Sequence, residues 1–62
     1  MKNLIGKEIY IDAKVIGLNG MLRATILEYD MNHDSFLVKG FYRDGRSIWI
    51  SGVSVRRAKI IK

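Results

Sequence analysis

Ser35-Phe36-Leu37-Val38-Lys39-Gly40-Phe41-Tyr42-Arg43-Asp44-Gly45-Arg46-Ser47-Ile48-Trp49-Ile50-Ser51 is the stretch whose reading decides the fold. Two runs rich in aromatic and β-branched residues flank Asp44-Gly45, a dipeptide that accepts the positive φ angles of tight hairpin turns. The stretch predicts strands over Ser35–Tyr42 and Ser47–Ser51, joined by a turn at Arg43–Arg46. In the second strand Ile48 and Ile50 share one side and Trp49 takes the other.

Working outward, Asp30-Met31-Asn32-His33-Asp34 is a polar turn. Before it, Met21–Asp30 carries two signals. Leu22, Ile26 and Tyr29 stand at helical spacing, while Leu22, Ala24 and Ile26 alternate with Arg23 and Thr25. Its position between two turn signals and ahead of a hairpin favours a strand, with a bulge near Leu27–Glu28 where the alternation slips. Gly17-Leu18-Asn19-Gly20 is a further turn. Glu8–Ile16 alternates throughout, with Ile9, Ile11, Ala13 and Val15 on one face, and predicts the first strand. On the C-terminal side, Gly52-Val53-Ser54-Val55 breaks the alternation and predicts one 3-10 turn. Arg56–Ile61 then reads as a short fifth strand, Arg56, Ala58 and Ile60 facing one way. Five short strands with frequent turns indicate an all-β barrel or sandwich.

Sixty-two residues form one domain, residues 1–62, that buries only about 60% of its unfolded surface. No cysteine is present, which removes disulfides and thiolate zinc sites and fits a cytoplasmic setting. Met1–Lys7 lacks a long apolar core, so neither a signal peptide nor an anchor is expected, and no apolar run approaches the roughly 20 residues of a membrane helix. The net charge of +5 and pI of about 9.9 favour an acidic partner, nucleic acid first, against the plain alternative of a charge that serves solubility.

The order of elements resembles an SH3-like barrel of the Tudor, KOW and chromo-related kind. The resemblance is carried by Ile5-Gly6-Lys7-Glu8-Ile9, Ala24–Asp30, Ser35–Gly40 and Arg46–Ile50, with Val53-Ser54-Val55-Arg56-Arg57 as the turn into the last strand. It implies a five-stranded barrel of antiparallel hairpins with a short 3-10 turn before the last strand. A second resemblance, to the Sm-like fold, rests on Leu4–Glu8, Leu22–Asp30, His33–Val38 and Ile50-Ser51-Gly52. It lacks that fold's N-terminal helix, and Ser51-Gly52 stands where an arginine-glycine pair is characteristic. Such barrels host many tasks, so the resemblance bears on fold more than on function.

Candidate binding residues are Lys14, Arg23, Lys39, Arg43, Arg46, Arg56 and Arg57, all on predicted strand faces or turns. Arg43, Arg46, Arg56 and Arg57 are expected to gather at one end of the barrel and grip phosphates, with Tyr42 and Trp49 stacking on bases. The competing reading is a solvated surface with weak pairs such as Arg46–Asp44. Tudor-like relatives hold methylated cations in aromatic cages, but Tyr10, Tyr29, Tyr42 and Trp49 are too scattered in sequence to assign one. Asp30-Met31-Asn32-His33-Asp34 opens like a calcium loop, yet Ser35 and Phe41 occupy the positions that need glycine and glutamate, so no metal is expected. His33 is the only histidine, Ser35 lies too near it on the same turn for a nucleophile relay, and a barrel this small fills its own interior.

The expectation is a basic, non-enzymatic module without cofactor that binds nucleic acid with low sequence specificity. The alternative is a protein-interaction module that docks an acidic partner or self-associates as a homo-oligomer through edge strands and exposed aromatics, with no role at a membrane.

Overall fold

The longest strand, Met21–Asp30, forms the spine of the sheet, and its irregularity shapes the rest. Ile26 and Glu28 pair with the adjacent residues Val38 and Leu37, which leaves Leu27 as the extra residue of a β-bulge. The bulge resets the alternation. Ile26 and Tyr29, three positions apart, therefore both meet the core, as a regular period of two would forbid.

The computed structural model describes residues 4–40, 42 and 44–61. In chain order it contains β1 (Glu8–Asp12), a 3-10 turn (Ala13–Ile16), β2 (Met21–Asp30), β3 (Ser35–Lys39), β4 (Ser47–Ser51), helix α1 (Gly52–Arg57) and β5 (Lys59–Ile60). The strands form one antiparallel sheet in the order β4-β3-β2-β1-β5. The sheet does not close on itself, and β4 and β5 are its edges. Its inner face buries Ile9, Ile11, Ala24, Ile26, Phe36, Val38 and Ile50, to which α1 adds Val55.

Sequence patterning locates β2, its bulge and β4. It overextends β1, which stops at Asp12 rather than running to Ile16. The Asp12 carboxylate accepts the Lys14 backbone N–H at 3.0 Å, and the chain coils until Gly17 leaves the turn at φ 80°. Strand β3 ends at Lys39 rather than Tyr42. Gly40 has φ 129°, and a Cβ there would stand 2.7 Å from the Arg23 carbonyl oxygen, so the chain can turn tightly over β2 only at glycine. The strand pairing stops at Lys39 and Ser47, so the connection is longer than a two-residue hairpin turn; within it the Gly45 N–H donates to the Tyr42 carbonyl at 3.1 Å, and Phe41 and Arg43 lie outside the described residues. The expected 3-10 turn at Gly52–Val55 is an α-helix that continues through Arg56 and Arg57, and the fifth strand shrinks to Lys59–Ile60. Burial of Val55 beneath the sheet favours the helix over its β-branched residues' own preference.

Candidate nucleic-acid interface

The pairing of β5 with β1 assembles a basic concavity. Tyr10 faces Lys59 across one strand boundary and Arg23 across the other. Ile9 and Ile11 on either side of Tyr10 are buried, so alternation turns the tyrosine ring outward, where it is 42% exposed. Beyond the end of β1 the 3-10 turn carries Lys14, and the last turn of α1 carries Arg57. Lys14, Arg57 and Lys59 line one groove of about 510 Å³ with Tyr10, Val15 and Met21. Among the described residues, none of these three cations has a carboxylate partner. Asp12 is the acid on the groove, and it also caps the Lys14 amide.

Arg23, Arg56 and Arg46 are engaged elsewhere. Arg23 binds Glu8 through Nε at 3.0 Å and through Nη2, and the hydrogen bond and charge of Glu8 raise its pKa. Arg56 reaches Asp34 through Nη1 at 3.0 Å and Nη2 at 2.5 Å. Arg46 lies 4.4 Å from the centroid of the Tyr42 ring and 3.3 Å from Asp44, so that aromatic is already covered by its own loop. Lys39 is exposed on the outer side of β3.

The expected gathering of Arg43, Arg46, Arg56 and Arg57 is therefore not the arrangement of its described members. Arg46 precedes β4 at the end where Lys39 pairs with Ser47, Arg56 is bonded to Asp34 beyond the end where Ser35 pairs with Ser51, and Arg57 turns into the groove.

Trp49 is 54% exposed on the outer side of β4, beside a hollow of about 290 Å³ that it shares with Asp30, His33 and Ser35. Among the described residues no candidate cation lines that hollow. The aromatic residues stay dispersed, since Tyr29 packs on Phe36 with ring centroids 4.6 Å apart and donates its hydroxyl to Asp34 at 2.8 Å. In the polar turn, His33 Nδ1 lies 2.7 Å from Asp30 Oδ2, and the hydrogen bond from His33 lowers the Asp30 pKa. The Ser35 hydroxyl donates to the His33 backbone carbonyl rather than to its ring. Among the described residues no group of three acidic, histidine or cysteine side chains could hold a metal ion, and no helix is long and apolar enough to cross a membrane.

Sequence reasoning did not single out Lys59 or Tyr10 as members of a basic site. Lys59 lies 45 positions beyond Lys14, and only the register of β5 on β1 brings the two to one groove. No family model matches the chain, and neither a curated protein nor a solved structure does.

Proposed function

We propose that this chain is a small non-enzymatic binding domain that captures the phosphate backbone of nucleic acid in the groove between β1, β5 and α1. The observation that carries this reading is the convergence of Lys14, Arg57 and Lys59, each without a carboxylate partner among the described residues, around an exposed tyrosine. Lysine and arginine side chains that neutralise phosphates release the counterions condensed on the nucleic acid, and that release supplies most of sequence-independent affinity. Cations already paired, such as Arg56 and Arg23, must first give up a carboxylate and gain less. Lys39 and Arg23 extend the basic surface along the sheet, and sequence specificity is low because the proposed contacts are to phosphates rather than base edges. The accompanying fold reading is an SH3-like barrel, supported by the order of antiparallel strands and the single short helix between β4 and β5. The absence of cysteine fits work in the cytoplasm.

The test is fluorescence anisotropy with labelled single-stranded and duplex oligonucleotides at low and physiological salt. Binding at about 10⁻⁴–10⁻⁶ M in physiological salt, tighter as salt falls, is the expected result. The double variant Lys14→Glu, Arg57→Glu removes it, while Arg46→Glu leaves most of it. No binding at low salt overturns the proposal.

A second reading has its own observation. Trp49 stands exposed on edge strand β4 with Leu37 as its cross-strand neighbour, an arrangement suited to a protein partner or a second copy. In that case Trp49→Ala abolishes association and the charge reversals in the groove do not.

A further inference from the structure

We infer that the groove takes a single strand in preference to a duplex, with one base laid against the ring of Tyr10. This inference rests on the nucleic-acid reading of the same groove and adds the form of the nucleic acid and the residue that selects it.

The position of Tyr10 is the first ground. Tyr10 lines the groove and is 42% exposed, with Lys59 opposite it on one neighbouring strand and Arg23 on the other, and Lys14 and Arg57 line the same groove. A phosphate chain held by Lys14, Arg57 and Lys59 passes beside this exposed tyrosine. Every base has a π-face to offer that ring once it is unstacked, whereas a duplex keeps its bases stacked on one another. Met21 and Val15 give the groove an apolar flank that suits a base and not a phosphate.

The second ground is that the other aromatics are placed differently. Tyr42 lies under Arg46, and Tyr29 is packed on Phe36 and hydrogen-bonded to Asp34. Trp49 shares its hollow with Asp30, His33 and Ser35 and, among the described residues, with no lysine or arginine. Among the described aromatics, Tyr10 is thus the one that lines the groove of Lys14, Arg57 and Lys59. The shape of the site agrees. Lys14, Arg57 and Lys59 line one concavity of about 510 Å³ beside the end of β1, narrow enough for a single strand.

The experiment uses the full chain with three labelled probes of equal phosphate number: a thymidine 23-mer, a strand of the same length made of abasic units, and a G·C-rich 12-base-pair duplex. The wild-type protein is expected to bind the thymidine strand tightest. Tyr10→Ala is expected to weaken that binding by about 5- to 150-fold while leaving the abasic strand unchanged, and Tyr10→Phe, which keeps the ring, is expected to retain it. Unchanged binding of the abasic strand also shows that Tyr10→Ala remains folded. Equal affinity for the thymidine and abasic strands, or for strand and duplex, overturns the inference and leaves electrostatic capture standing. Failure of all three probes at low salt overturns the inference and the reading it rests on together.

Discussion

Arg56 grips Asp34 at two points, Nη1 on Oδ1 at 3.0 Å and Nη2 on Oδ2 at 2.5 Å, and so ties helix α1 to the turn between β2 and β3. Asp34 is a hub. The Tyr29 hydroxyl donates to its Oδ1 at 2.8 Å, the Gly52 N–H donates to its carbonyl oxygen at 2.7 Å, and its own backbone takes the left-handed conformation at φ 47°. Aspartate tolerates that conformation better than most residues.

The pH dependence of stability follows from this hub. The hydrogen bonds from Arg56 and then Tyr29 hold the Asp34 carboxyl down to about 2. An unfolded aspartate titrates near about 3.9. Because the folded value is the lower one, the carboxylate's contribution is fully present above pH 4 and disappears as pH falls from about 4 to about 2. Thermal melts across this range should show a falling midpoint in the wild type and a shallower fall in Asp34→Asn, which keeps the left-handed backbone but not the charge. Asp30 is lowered in the same direction and leaves a residual slope. Parallel curves for the two proteins would contradict this account.

Gly52 is fixed by contact rather than by backbone angle. A Cβ there would stand 2.8 Å from the Asp34 carbonyl oxygen and 2.5 Å from its Oδ1, and the backbone oxygen cannot move without breaking the bond to the Gly52 N–H. Gly52→Ala should therefore destabilise by about 1–3 kcal/mol, despite the gain of about 1 kcal/mol in helix propensity. Val53→Ala, one residue along on the exposed side of α1, should be neutral or slightly stabilising by propensity alone. Urea titrations of the two variants separate contact from propensity.

Phe36 tests how little reserve the core holds. It is wholly buried between Tyr29 on β2 and Ile50 on β4. Phe36→Ala costs about 3–5 kcal/mol through lost burial and the cavity left behind. A chain of this length has about 3–9 kcal/mol of stability in total. The variant should be largely unfolded or melt far below the wild type by circular dichroism, whereas Ile26→Val, at about 0.5–1.5 kcal/mol, should stay folded.

These residues also show where the sequence speaks and where it falls silent. Strand β4 is legible because Ile48 and Ile50 face inward and Trp49 outward, and the bulge in β2 is legible because Leu27 interrupts an otherwise regular alternation. The end of β1 is not, since Ala13 and Val15 continue the pattern while the Asp12 side chain, by capping Lys14, bends the backbone out of the sheet. Helix α1 contains glycine and two valines, poor helix formers, and depends on burial of Val55. The site is less legible than the fold. Arg56 and Arg57 are neighbours in sequence, yet a helix sends them about 100° apart, one to Asp34 and the other to the groove. Composition gives their charge but not their partners.

That divergence supplies the last prediction. On single strands each neutralised phosphate contributes about 0.7 to the slope of log affinity against log salt, so contacts from Lys14, Arg57 and Lys59 should give a slope near about −2. Arg57→Ala should reduce that slope by about 0.7 with little change in the melting midpoint, because its side chain makes no ion pair among the described residues. Arg56→Ala should do the reverse, lowering the midpoint by releasing Asp34 while leaving the slope in place. Binding isotherms between about 50 and 200 mM salt, read beside melts of the same two variants, distinguish a cation that serves a partner from one that serves the fold. If Arg56→Ala changes the slope and Arg57→Ala does not, the groove is not where the phosphates lie.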